Sequence, residues 1–436
     1  MDYFRSMLVQ LLTWEARIVL SRRKPKIIAI TGSVGKTSGK DAIYAALSDA
    51  YSVRRSEKSY NSEFGVPLTV LGLENAWRDP WRWILNVVRG LVLIFSRSPY
   101  PEWLILEVGA DRPGDISRIA RWLRPDIAVI TGVPEIPAHV EYFDSPDQLA
   151  REKRELARYV KHGGKLVLNG DDSRMVQLCA DFRGMTLKYG LEASNDFRAD
   201  DIEIAYEEKK PTGMRFRLER RADLPTLAAA VLPIAIRGAL GRPRVYAALA
   251  ALAVGEAAGV DQISVGRALE SWEPPPGRMR ILPGVNGSVI IDDTYNSSPV
   301  AALAALDTLK ALKCKRRIAL LGDMLELGRY ASEAHRNVGR RAAKVVDLLW
   351  TVGFRSRASG EAALDEKMSE SDIREYEQTE SRRAGEELRA LLKPGDVVLV
   401  KGSQSMRMEK AVQELLAEPS RAGELLVRQD SEWKKR

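Results

Sequence analysis

The segment KIIAITGSVGKTSGKDAIYAAL, Lys26 to Leu47, is a strand, a tight loop and a helix start in series. The apolar run Ile27–Ile30 predicts a buried strand, and the apolar spacing beyond Lys36 predicts a helix. Between them lie Gly32, Ser33, Gly35, Lys36, Thr37 and Ser38. Backbone N–H groups at a helix start hold anionic oxygens, Lys36 can reach terminal phosphates, and Thr37 can ligate magnesium. The usual phosphate-loop pattern carries a further glycine five residues before Gly35, where this chain has Ile30, so the loop is the shorter form TGxxGK[ST]. An ordinary Gly-rich turn is the alternative, and the flanking strand and helix argue against it. The segment points to a nucleoside triphosphate site.

A chain of 436 residues holds two or three domains with substantial cores. The net charge of +8 suits phosphate-rich ligands or an anionic membrane surface, but 59 acidic residues dilute it. No nucleic acid is expected, since no aromatic-and-basic platform is apparent. Cys179 and Cys314 form no CxxC pair, which argues against a disulfide framework or cysteine zinc site and fits a reducing, cytoplasmic setting. No apolar run reaches about 18 residues, so no spanning helix is expected. Met7–Leu20 precedes Arg22, Arg23, Lys24 and Lys26. Glu15 and Arg17 interrupt it, and it has no small-residue cleavage site, unlike a signal peptide. Trp83–Phe95 follows Trp77 and Trp81 and contains Arg89. Both segments are expected to pack on their own domain, with peripheral membrane contact through the basic N-terminal helix as the alternative.

The rest of the chain alternates strand and helix signals, which predicts an α/β protein with a mostly parallel sheet. Strands are expected at 103–108, 126–131, 165–169 and 186–189, and an antiparallel hairpin turning around Lys210–Gly213. An Ala-rich helix follows at 245–258, and then Pro274-Pro275-Pro276-Gly277 reads as a stiff linker. Beyond it a second α/β series runs to about residue 416, with a charged, frayed tail after Ala417. The expected organisation is an N-terminal helix (1–25), a central ATP-binding domain (26–273) and a C-terminal doubly wound domain (278–436).

Open α/β sheets bind ligands beyond the carboxyl ends of their strands. Those ends carry Glu107, His139 with Glu141, Asp171 with Asp172, Asp292 with Asp293, Asp323, and Lys401. Two domains facing one another across a cleft would bring them together. Thr37, Glu107 and His139 are candidate magnesium ligands, although His139 reads equally well as a hydrogen-bonded loop histidine. Lys153, among Arg151, Arg154 and Arg158, reads by itself as a solvated helix face. Asp292-Asp293-Thr294-Tyr295-Asn296 either caps the next helix or offers carboxylates to a ribose or magnesium. Arg278 stands just past the linker, placed to reach phosphate.

The motifs TGSVGKTS, YNSEFGVPLTVLG, LEVGADRPGDI, AHVEYF with Lys153, LNGDD, PPPGRM, IIDDTYNSSP, LGDMLELG and VLVKGS occur in this order. They resemble the Mur ligase family over residues 26–416, and most of all its D-alanyl-D-alanine-adding branch. The resemblance implies a P-loop ATPase domain, a doubly wound C-terminal domain, and ATP-driven amide-bond formation in cell-wall precursor synthesis. A muramoyl-peptide carboxylate would become an acyl phosphate, and an incoming dipeptide amine would attack it. ATP and magnesium are the implied cofactors. Gly35, Lys36 and Thr37 match the phosphate loop, and Glu107 and His139 match magnesium positions. Lys153 matches a lysine carbamylated in many members, where it holds a second magnesium. Arg278 matches a phosphate contact, and Asp293, with Tyr295 beside it, the ribose-binding aspartate.

Two departures stand out. The family branch carries an N-terminal domain that grips the UDP end of its substrate, whereas about 25 residues precede the phosphate loop here. A protein partner, or a lipid-linked substrate at a membrane, would have to take its place. The helix that contacts adenine through asparagine has Pro243, Arg244 and Ala247 at the matching positions. Two other functions stay open: a related ligase with another acid and amine, of polyglutamate or cyanophycin type, and a non-catalytic nucleotide-binding partner of another ligase. DDTYNSSP with GDMLELG argues against the first. The joint presence of Lys36, Glu107, His139, Lys153 and Asp293 argues against the second.

Overall fold

A computed structural model describes residues 2–57, 60–77, 79–133, 142–221, 231–430 and 433. The first sheet has nine strands: β1 (Lys26–Thr31), β2 (Val53–Arg55), β3 (Trp103–Glu107), β4 (Ile127–Ile130), β5 (Lys165–Asn169), β6 (Met185–Gly190), β7 (Phe197–Glu207), β8 (Lys210–Arg220) and β9 (Val231–Arg237). Their order is β2-β3-β1-β4-β5-β6-β7-β8-β9. The pairs from β2 through β7 are parallel, and β7-β8-β9 is an antiparallel meander. The apolar runs of β1, β3 and β4 are buried on both faces, as parallel strands covered by helices must be.

The hairpin is present, but it turns at Glu208-Lys209, both in the left-handed region, rather than at Lys210–Gly213. Lys210 already pairs with Glu207, and Pro211 sits inside β8 next to a register shift, where a missing N–H is tolerated. The Ala-rich helix Arg242–Ala258 is buried nearly all round. Small side chains let it wedge between the phosphate-loop helix (Lys36–Ser48) and the sheet.

The second sheet has six strands: β10 (Arg280–Pro283), β11 (Val289–Asp293), β12 (Arg316–Gly322), β13 (Leu348–Val352), β14 (Ile373–Tyr376) and β15 (Asp396–Lys401). They run in the order β10-β11-β15-β12-β13-β14, parallel except for β10. The described residues beyond Ala417 are packed against the domain, contrary to the expected fraying. Leu425, Leu426 and Val427 are buried, and Arg428 makes a buried ion pair with Glu409 at 2.6 Å. These three apolar residues and one matched arginine help to dock it.

Among the described residues no helix is long and apolar enough to cross a membrane. The N-terminal helix (Asp2–Arg23) and the helix Pro80–Phe95 lie side by side. Arg22 donates to Ile94 O at 2.9 Å, and Arg23 donates to Ser96 O, satisfying carbonyls at the helix end. Between the two helices the Glu15 carboxylate is buried with no hydrogen-bond partner among the described residues. Gly90 leaves room for it, since a Cβ there would collide with the carboxylate.

Burial raises the Glu15 pKa to about 7. The folded state therefore keeps a proton that the unfolded chain releases near pH 4.5, so stability declines as pH rises from there to about 7. Glu15→Gln lacks this titration. Melting temperatures of the two proteins are expected to diverge in favour of the glutamine variant between pH 5 and pH 8, and a constant difference across that range would show a solvated carboxylate.

Candidate active site

The phosphate loop is shaped by two glycines. Gly32 has φ 149°, and a Cβ there would run into Thr131 Oγ1, which itself donates to Val34 O at 2.6 Å. Gly35 takes φ 85° and caps the helix that opens at Lys36. The free N–H groups of that first turn, with the positive end of the helix dipole, face the loop's interior. Lys36 Nζ donates to Gly32 O at 2.8 Å, and its pKa is lowered, first by burial and then by Arg278, against the opposing pull of Glu107. An ammonium held dry beside a guanidinium is well matched to a polyanion.

Strand register brings Glu107 to the loop, because Ile30 of β1 pairs with Glu107 of β3. Thr37 Oγ1 donates to Glu107 Oε2 at 3.2 Å, and Asn61 Nδ2 donates to Oε1 at 3.3 Å. Lys40, one helical turn beyond Lys36, is buried 3.9 Å from Glu107 and donates to Ser56 O. Ser38 is buried in the same turn. Lys153 lies on the helix Pro146–Arg158 and is only 2% exposed, so it is not on a solvated face. Its pKa falls to about 7, chiefly through burial and next through the nearby Lys36 charge. Its neighbour Glu152 accepts from Gly114 N and Ile116 N, anchoring the helix to the loop after β3. His139 and Glu141 lie outside the described residues.

The second sheet supplies the opposite wall. Past the proline linker, Gly277 N donates to Asp292 Oδ2, which positions Arg278. Burial raises the Asp292 pKa to about 6. Arg278 Nη2 donates to Thr37 Oγ1 at 3.3 Å across the cleft, and its guanidinium stands 3.9 Å from the Tyr295 ring centre. Asp293 accepts from Met279 N at 3.1 Å and from the buried Lys401 Nζ at 2.6 Å. That carboxylate thus ties the linker to the sheet while lining the cleft. The cleft between the two sheets has a volume of about 650 Å³ and is walled by Ser33, Lys36, Glu107, Arg278, Asp293 and Tyr295, among others. Ligand clefts commonly have this size.

Ser33 Oγ, Arg278 Nε and Arg244 Nη1 are buried in this wall without a partner among the described residues. Three orphaned polar atoms, two of them cationic donors, suit an anionic ligand. No group of three or more His, Cys, Asp or Glu gathers among the described residues. One hydroxyl and one carboxylate, Thr37 and Glu107, still fit magnesium, which commonly takes one or two carboxylates and completes its shell with phosphate oxygens and water.

Not every polar strand end belongs to the cleft. Asp172 accepts from Met175 N and Val133 N, and Asp171 from Leu191 N and the Tyr246 hydroxyl. Asp323 accepts from Ser356 N. These are structural caps. Pro243 and Arg244 do line the cleft, whereas Ala247 is buried in the helix behind it. Asn61 and Lys40, next to Glu107, were not singled out by sequence. Their signals were the polar residue ahead of the Gly65 helix and the i+4 spacing from Lys36.

Comparison with known proteins agrees with this architecture. Residues 90–255 match the Mur ligase middle domain, and residues 277–404 match the Mur ligase, glutamate ligase domain. The chain is similar to UDP-N-acetylmuramoyl-tripeptide–D-alanyl-D-alanine ligase of Bacillus subtilis, 28% identical over 93% of this chain and 79% of the relative. The enzyme of the same name from Mycobacterium tuberculosis H37Rv is 31% identical over 90% of this chain and 73% of its own length. Among solved structures, MurF ligase from Thermotoga maritima in complex with ADP superposes with a TM-score of 0.76 at 25% identity, covering 95% of this chain and 84% of that one. Two sheets facing across a phosphate-loop cleft, together with matches at this level over most of each chain, establish that the chain belongs to the Mur ligase family.

Proposed function

We propose that this chain is an ATP-dependent amide ligase of cell-wall precursor synthesis, joining D-alanyl-D-alanine to the terminal carboxylate of a muramoyl tripeptide. The observation that carries it is one cleft in which a phosphate loop on the first sheet meets Arg278 and Tyr295 on the second. The similarity to ligases of that name supports the substrate pair.

In this scheme the loop N–H groups, Lys36 and Arg278 hold the triphosphate tail. A carboxylate oxygen of the acid attacks the γ-phosphorus, the bond to the bridging oxygen breaks, and ADP leaves. The dipeptide amine then attacks the acyl carbon, phosphate departs with the C–O electron pair, and the amine proton passes to solvent. Thr37 and Glu107 would hold magnesium, with His139 as a third candidate, and a carbamylated Lys153 would offer a carboxylate-like group to a second ion. Bound magnesium supplies neutralisation of phosphate charge. An acyl phosphate hydrolyses readily, so the cleft between the sheets also serves to exclude water.

Purified protein would be given ATP, magnesium, UDP-muramoyl tripeptide and D-alanyl-D-alanine, with phosphate release and product mass followed together. The expected result is phosphate release that depends on the dipeptide and a product heavier by one dipeptide less water. Turnover with a single amino acid in place of the dipeptide, and none with the dipeptide, would reassign the amine.

A further inference from the structure

The helix Pro80–Phe95 is amphipathic in the reverse sense to a helix that packs on its own domain. Asp79 caps it by accepting from Trp81 N and Arg82 N, and Pro80 stands at its first position. Its buried stripe is Asn86, Gly90 and Ile94, with Asn86 donating to Glu74 O. The wider apolar stripe faces out: Trp81, Ile84, Leu85, Val88, Val92 and Phe95 are all exposed, Trp81 at 79% and Phe95 at 75%. Met7, Leu11 and Trp14 of the N-terminal helix, one to two turns apart, are exposed as well. Together these side chains make an apolar surface of a kind that folded chains rarely leave bare.

The charge around this surface is predominantly positive. Residues 79–97 contain three arginines, at 82, 89 and 97, and a single acid, Asp79, which is engaged as the helix cap. Arg17 on the neighbouring helix and Lys24, just past its end, are exposed too. Arg89 and Arg97 form no ion pair among the described residues. Apolar and aromatic side chains rimmed by arginine fit the boundary between lipid headgroups and acyl chains, where the arginines meet phosphate. At 16 residues the helix is about 24 Å long, too short to span a bilayer, so it would lie in the plane of the surface. Pairing two copies through this face would instead bring their arginines together.

We propose that the helix Pro80–Phe95, with the outer stripe of the N-terminal helix, is a docking surface for an anionic lipid membrane. The N-terminal helix also reaches the neighbourhood of the cleft. Arg5, Ser6 and Val9 of the N-terminal helix line a second cavity of about 600 Å³, which shares Asp111 and Glu326 with the nucleotide cleft. The inference does not depend on which acid and amine are joined.

Flotation with lipid vesicles tests it. The full chain is expected to float with vesicles of phosphatidylcholine and phosphatidylglycerol, at least ~10-fold more strongly than with phosphatidylcholine alone, and to be released by salt. Val88→Glu with Val92→Glu should abolish flotation. Arg82→Gln with Arg89→Gln, which keeps the apolar face and therefore the fold, should weaken it roughly tenfold or more. Both changes lie outside the cleft, so phosphate release with soluble substrates should be unchanged. Wild-type protein that fails to float, equal flotation with both vesicle types, or an arginine variant that floats like wild type would overturn the proposal. A lipid-free dimer that the glutamate variant dissociates would overturn it too, assigning the face to a second copy.

Discussion

Lys36→Ala is expected to lower ATP-dependent turnover at least ~100-fold while leaving the fold intact, as loss of an electrostatic contact to developing phosphate charge does. In the ligand-free cleft Lys36 stabilises little. Its ammonium is desolvated, faces Arg278, and makes one hydrogen bond to Gly32 O. A lysine whose pKa is lowered on folding costs stability wherever it must stay charged, so alanine should leave the ligand-free melting temperature unchanged or slightly raised. With ATP the order reverses. A triphosphate neutralises Lys36 and Arg278 together, so the wild type should gain a nucleotide-dependent rise in melting temperature that the variant largely lacks. Two measurements, phosphate release and thermal shift with and without ATP, separate this from a structural role. A variant that is already unstable without nucleotide, or one that ligates near normally, would remove Lys36 from the phosphate site.

The parts of the fold that were legible in sequence are those where one local pattern has one physical solution. An apolar run followed by TGSVGKT folds as strand, loop and helix because the left-handed Gly35 and the crowded Gly32 admit almost nothing else. The alternation of strands and helices implied parallel sheets, and the polar strand ends implied a cleft. Other features depended on what packs where. Lys153 sits among arginines in sequence, yet its side chain turns inward, and nothing in the spacing of RELAR or REKRE marks which cation does so. The hairpin turn lacks glycine or asparagine at Glu208-Lys209, so the nearby Pro-Thr-Gly drew the prediction two residues downstream. The helix Pro80–Phe95 shows clear periodicity, but periodicity fixes an apolar face and not what that face meets. The chain end past Ala417 reads as charged because Arg428 and its neighbours are judged without Glu409, which lies 19 residues away.

Lys153 is where burial and chemistry make the largest joint claim. With its pKa lowered to about 7, roughly half of the amine is neutral at neutral pH, against almost none for an ordinary lysine. A neutral Nζ can attack carbon dioxide: the N–C bond forms, a proton leaves to solvent, and a carbamate results. Carbamate occupancy should therefore fall as pH drops from 8 to 6, because protonation removes the nucleophile. ¹³C NMR in labelled bicarbonate should show the carbamate carbon in the wild type and not in Lys153→Ala. The same variant is expected to lose roughly 10–100-fold in activity, the usual effect of disturbing a group that organises a metal site. Added formate or acetate should restore part of it by occupying the vacated space with a carboxylate. Lys153→Arg should lose as much and recover nothing, since a guanidinium stays protonated and fills the space. The stability consequence has a definite sign: the unfolded chain holds this proton up to about pH 10.5 and the folded chain only to about 7, so folding becomes more favourable as pH rises through that window, and Lys153→Ala should flatten the rise. Full activity in Lys153→Ala, with the carbamate signal absent from the wild type, would leave Lys153 as a buried packing residue and take the second magnesium position away from it.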